Sequence, residues 1–248
     1  MPNSELLGAF EVHSAEGIRE ALANGISPLT PINGRKPIDH LIEAYLRSSR
    51  FADCLRVMLD AGAAIDDPLV QAVLLDDAST LRSLVTELPQ RLHQQLDFLG
   101  AFTSCRGVTA LHVCAEFNSV NCARVLIENG ADVNAVASCN SDGMGGQTPI
   151  FHAVNSILNY CRPAMELLTE AGADLQVKVK SLLWGESMSW ETVLYDVTPV
   201  SYAQCGLYRQ FHRREEDVYS NLQYLYRWSY GTHTTFRNVP NKYLVEGR

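Results

Sequence analysis

Long apolar runs are missing from this 248-residue sequence. None approaches the roughly 18 consecutive residues that cross a bilayer, so no membrane span is expected. The opening residues, MPNSELLGAF, hold neither a basic cluster nor a long apolar stretch; a secretory leader is not expected and a cytoplasmic chain is. A basic excess is missing too: 20 Lys and Arg stand against 28 Asp and Glu, for a formal charge of -8. Nucleic acids and anionic membranes are bound by basic faces, so neither is expected as a partner. Paired cysteines are also absent. Cys54, Cys105, Cys114, Cys122, Cys139, Cys161 and Cys205 are odd in number and contain no C-x-x-C. That excludes a dense disulfide framework and leaves most of them as small apolar core residues.

Signatures of catalysis are equally scarce. The histidines, His13, His40, His93, His112, His152, His212 and His233, form no H-E-x-x-H and no Cys/His zinc spacing. Cys114 lies two residues from His112, a spacing that does not share a helix face. Cys139, His152 and Cys161 bring no fourth ligand with them, so neither metal nor cofactor is expected. There is no G-x-S-x-G elbow and no phosphate-binding glycine loop; Gly143, Gly145 and Gly146 lack that fingerprint. The acidic pairs Asp66/Asp67, Asp76/Asp77 and Glu215/Glu216 fall at turns and solvated faces, away from any desolvating pocket that would tune them for proton transfer. No catalytic residue is assigned, and no enzyme activity is expected.

What the chain does have is enough apolar residue, 46% against 19% charged, to bury a core, and a repeat. An apolar stretch followed by Gly-Ala, an acid and another apolar residue recurs as VMLDAGAAID (57–66), VLIENGADVN (125–134) and LLTEAGADL (167–175), with a fainter copy, ALANGISPL, at 21–29. Their glycines, Gly25, Gly62, Gly130 and Gly172, lie 37, 68 and 42 residues apart. The middle gap is close to two periods of about 34 residues, and PLVQAVLLDDASTLRSLVTELP (68–89) supplies the divergent copy inside it. A second phrase precedes the first: GVTALHVCAE (107–116), GQTPIFHAV (146–154), DVTPVSYAQ (196–204) and a degraded GRKPIDHLIEA (34–44). These are helix starts. Thr109, Thr148 and Thr198 are positioned to cap the free N–H groups of a first turn, and Pro37, Pro149 and Pro199 suit its first position. In the best copy a short helix over 110–117 turns at Asn118 into a second over 120–129, whose apolar stripe is Cys122, Ala123, Val125 and Leu126. Helices this short hold only by stacking on neighbours.

Residues 107–135, GVTALHVCAEFNSVNCARVLIENGADVNA, resemble an ankyrin repeat over nearly the whole unit. The copy at 146–175 matches at both ends, with Phe151 at the family's usual His position. The resemblance implies an all-α solenoid of about six helix pairs over 1–230, in repeats at about 5–30, 34–66, 67–89, 106–135, 146–176 and 196–228, with a C-terminal tail over 231–248. It also implies that His112 hydrogen-bonds between neighbouring repeats. By the same resemblance, the function is non-catalytic recognition of a protein partner through the concave face and its β-turn fingers, by a monomer without cofactors.

Three insertions, 90–105, 136–145 and 177–195, break the period. The first is read as an extra helical turn or helix and the second, rich in Gly, Ser, Asn and Asp, as a loop. The third carries two period-2 runs around Gly185 and predicts a β-hairpin before the last repeat. Trp184, Met188 and Trp190 on that hairpin, with Phe117 and Phe151, are the candidate partner contacts, since aromatic anchors dominate many interfaces. The alternative for the tryptophans is that they only cover the end of the stack. In the last repeat Val218, Leu222 and Leu225 form the inner stripe, and Arg209, Arg213, Arg214, Glu215, Glu216 and Asp217 are expected on the solvated face. Two other functions remain open: an enzyme whose site is grafted between the 177–197 hairpin and the last repeat, or a binder that neutralises a toxin or targets a host protein.

Overall fold

The computed structural model describes residues 3–98, 100, 103–186 and 189–231. Among them, twelve α-helices follow one another in six pairs: α1 (Asn3–Glu11) with α2 (Ala15–Ala23), α3 (Pro37–Ile42) with α4 (Phe51–Asp60), α5 (Pro68–Leu74) with α6 (Ala78–Glu87), α7 (Ala110–Phe117) with α8 (Val120–Glu128), α9 (Pro149–Ala153) with α10 (Arg162–Glu170), and α11 (Pro199–Cys205) with α12 (Glu215–Tyr230). First helices pack on first helices, as α5 on α7 and α7 on α9; second helices pack on second helices, as α6 on α8 and α8 on α10. Their buried stripes merge into one continuous core. The stripe of α8, Cys122, Ala123, Val125 and Leu126, is no more than 2% exposed, and each fully buried branched side chain in it contributes about 1.5–3 kcal/mol. No helix among the described residues is long and apolar enough to cross a membrane.

Polar side chains set where helices begin and how repeats align. Asp77 accepts from the N–H groups of Ser79 and Thr80 at the start of α6, and these bonds with the two side-chain hydroxyls hold its carboxyl down at about 2. Thr198 and Ser201 cap α11 reciprocally. Thr148 departs from the expectation for it: its hydroxyl is buried without a hydrogen-bond partner among the described residues, and it makes no side-chain cap. Between repeats one device recurs. Asp76, in left-handed backbone at the α5–α6 turn, accepts from the N–H of Cys122 at 2.8 Å. Asn118, left-handed at the α7–α8 turn, accepts from the N–H of Ala164 at 3.1 Å. Each turn thus satisfies free donors in the first turn of the next repeat's second helix.

The insertions are ordered. Pro89–His93 forms a 3-10 turn, and the chain then doubles back so that Leu96 and Val108 exchange both backbone hydrogen bonds. The third insertion is an antiparallel hairpin of β1 (Val179–Trp184) and β2 (Thr192–Val197), in the register Ser181 opposite Tyr195 and Trp184 opposite Thr192. The 136–145 loop lies along β1, where Gly145 donates to the Ser181 carbonyl. β1 is therefore buried on both faces except at Lys180, while β2 exposes Tyr195. One further departure from the regular unit lies near the other end. Two residues, Asn118 and Ser119, join α7 to α8, but eight residues, 43–50, join α3 to α4.

Candidate partner-binding site

That eight-residue linker, the hairpin and the last repeat converge. β1 ends at Trp184, whose ring stacks on Phe211 at 4.0 Å and 12° and meets Trp190 at 4.8 Å. Gly185 follows with φ +71°, and a Cβ there would stand 2.2 Å from the Trp190 ring. Only glycine lets the turn bring the second tryptophan down on the first. Thr103, from the first insertion, bridges to Trp184 and places its hydroxyl 3.0 Å from that of Tyr202 in α11.

The linker reaches the same place from the opposite end of the sequence. The Tyr45 hydroxyl donates to the Phe211 carbonyl at 3.0 Å and accepts from Arg213 at 2.6 Å. Arg213 also donates to the Phe211 carbonyl and, through Nε, to the backbone and side-chain oxygens of Asn155 at 2.9 and 3.1 Å. Arg47, only 4% exposed, donates to the Ala44 carbonyl and, from Nε and Nη2, to Glu116 Oε1. Its guanidinium lies 4.3 Å from the centre of the Phe117 ring, a favourable cation–π placement. The other oxygen of Glu116 meets His152 Nδ1 at 3.1 Å. Burial raises the Glu116 carboxyl, but the Arg47 charge and the hydrogen bonds from His152 and Arg47 outweigh it and hold the group below its ordinary range. A buried guanidinium needs that partner, because an uncompensated charge there is strongly destabilising.

Two spaces open among these groups. An apolar cleft of about 340 Å³ is lined by Tyr45, Trp184, Trp190, Gln210 and His212. Against it, sharing Tyr45 and Trp184, lies a polar cavity of about 30 Å³ whose walls include Arg47, Glu116, His152, Asn155 and Arg213. The His152 side chain is fully buried, and its Nε2 makes no hydrogen bond among the described residues. Chemically the arrangement offers apolar contact, hydrogen bonds and charge. Among the described residues no group of three or more His, Cys, Asp or Glu side chains is placed to hold a metal.

The candidate contacts separate sharply. Trp190 is 37% exposed and lines the cleft. Trp184 is 2% exposed, Phe117 5% and Phe151 1%; a partner cannot reach their rings in this structure. Phe117 is enclosed by the Phe51 and Phe98 rings and Arg47, and Phe151 packs towards the Tyr202 ring. Met188 lies outside the described residues. Arg213, expected on the solvated outer face, instead turns inward onto Asn155 and Tyr45 because Phe211 and His212 form a tight turn before α12. Tyr45, Arg47 and Glu116 were not singled out by the sequence. The one signal for the first two was the overlong α3–α4 connection; Glu116 gave none, since an acid near the end of a helix is ordinary.

The ankyrin-repeat family model matches the chain in three copies, over residues 41–137 and 69–179. The crystal structure of EF0377, an ankyrin repeat protein, is similar to 90% of this chain and 96% of its own, at 18% identity and a TM-score of 0.38; that likeness is too distant to transfer any residue or site. No curated protein matches the sequence. With its stacked helix pairs and more than half of its length matched by the family model, the chain belongs to the ankyrin repeat family.

Proposed function

We propose that the protein binds a protein partner without chemical turnover, and that the cleft at Trp190 is its anchor pocket. Ankyrin repeats are in general protein–protein interaction modules. The observation that carries the reading is Trp190 itself: a large apolar ring held half in solvent beside an open apolar cleft, on a hairpin pinned by Gly185 and the Trp184–Phe211 stack. Such a surface is arranged before the partner arrives, so binding loses little conformational entropy. The charge of -8 favours a neutral or basic partner at long range, with association slowed by salt. The protein acts in this reading as a cytoplasmic monomer. Six buried thiols and a lone exposed one, Cys139, agree with a reducing compartment.

The test is a pull-down with the immobilised protein, read by mass spectrometry against two variants. Trp190→Ala should lose the captured protein; Trp228→Ala, which truncates another exposed tryptophan, should retain it. Equal capture by both variants contradicts the assignment of the cleft.

A further inference from the structure

We propose that the cleft takes an acidic, apolar-anchored segment of the partner polypeptide, its apolar side chain against Trp190 and Tyr45 and its carboxylate in the polar cavity on Arg213. This rests on the reading of the cleft as the partner site. Two guanidinium groups turn inward here, and they are matched differently. Arg47 faces the carboxylate of Glu116. Arg213 has no carboxylate among the described residues: its bonds go to the neutral oxygens of Asn155, Tyr45 and Phe211, and Nη2 makes none. A guanidinium fork is shaped for the two oxygens of a carboxylate, and the charged pair is about twice as strong as a neutral hydrogen bond.

The cavity that Arg213 lines has the room for such a group. Its 30 Å³ corresponds to about two water-sized occupants, the size of two carboxylate oxygens. His152 stands behind the same wall, its Nε2 buried and without a hydrogen bond among the described residues. At the mouth, His212 lines the cleft and is exposed. The cleft above, at 340 Å³, lies in the roughly 300–1,000 Å³ range of pockets that enclose most of an occupant's surface. A whole-molecule charge that repels acids and a local site that takes one are compatible, because screening confines exposed charges to about 8–10 Å at physiological salt.

The experiment pans the full chain against a display library of random peptides and measures the selected peptide by fluorescence anisotropy. The expected peptide carries Asp or Glu beside a large apolar residue. Its affinity should fall about tenfold or more when that acid is replaced by the amide, a change that leaves the protein untouched, and similarly in Arg213→Gln. A selected peptide that is weakened by Trp190→Ala but indifferent to the acid-to-amide change overturns the acidic occupant and leaves the cleft as the partner site. Phenylacetate competing as tightly as the peptide also overturns the proposal, by making the occupant a small carboxylate. Panning that yields no peptide sensitive to Trp190→Ala overturns both this inference and the reading of the cleft.

Discussion

His112 and His152 stand 5.6 Å apart, edge to face, on the consecutive first helices α7 and α9, yet one belongs to a finished joint and the other to an unfinished one. His112 Nδ1 accepts from the N–H of Thr109, and Nε2 donates to the Gln147 carbonyl at the mouth of the next repeat. Both ring nitrogens are used, so the ring ties two repeats together as the family resemblance implied. His152 uses Nδ1 on Glu116 and leaves Nε2 buried without a hydrogen bond among the described residues. The difference follows from what lies beyond each. Beyond His112 is another regular repeat whose backbone is placed to meet it. Beyond His152 the repeat is interrupted by the hairpin, and the space is closed instead by residues from the α3–α4 linker and from Thr103. At the regular joint both ring nitrogens are used; at the interrupted one a ring nitrogen is left over, near an apolar cleft.

The comparison breaks first at the aromatic stack. Trp184→Ala should cost about 3–5 kcal/mol, the usual range for a buried aromatic, and lower the melting temperature by roughly 10 °C. Calorimetry reads both. Glu116→Ala should cost a similar amount, about 3–5 kcal/mol, because Arg47 is left buried and unpaired; urea titration measures it, and an additional Arg47→Met should recover much of the loss. His112→Ala should cost roughly 2–3 kcal/mol, since it strands the Thr109 N–H and the Gln147 carbonyl. His152→Ala should cost less, losing one hydrogen bond rather than two. Equal effects at the two positions would erase the distinction between the joint and the cleft.

Acid should act on the same joint. Burial above all, with the charge of His152 adding to it, pushes the His112 ring down to about 3, and burial with Arg47 and Arg50 pushes His13 to about 4. Both rings stay neutral when folded and take up a proton when unfolded. The unfolded chain therefore binds more protons between about pH 6.5 and these values, and stability falls as pH is lowered through that window. Melting temperatures between pH 7.5 and 5 should decline, and His112→Gln should flatten the curve. The smallest effect on stability is expected at Trp190→Ala, about 1 kcal/mol or less.

Much of this was legible in the sequence, and for identifiable reasons. Helices α7 and α8 could be read because cap, stripe, Asn turn and terminal glycine all agree within 107–135. The hairpin was legible because two alternating runs flank Gly185. The division between its tryptophans was not: their rings meet at 4.8 Å, and Trp184 is the covered one because Phe211, from outside the hairpin, stacks on it. Arg213 reads as a surface residue in a charged run, RREED, and only the turn at Phe211–His212 sends it inward. The network of Tyr45 and Arg47 with Phe211, Arg213 and Glu116 joins residues as far as 168 apart. No local pattern encodes a meeting at that distance.

The central claim, that one tryptophan holds the stack and its neighbour meets the partner, is tested most directly on Trp190→Ala by two readings on one preparation: melting temperature, and affinity for the partner isolated on the wild-type protein. A melting temperature within about 4 °C of wild type and an affinity at least about tenfold weaker are the predicted pair. A large drop in melting temperature with the affinity of the folded fraction unchanged would contradict it, and would make Trp190 a cover for the stack.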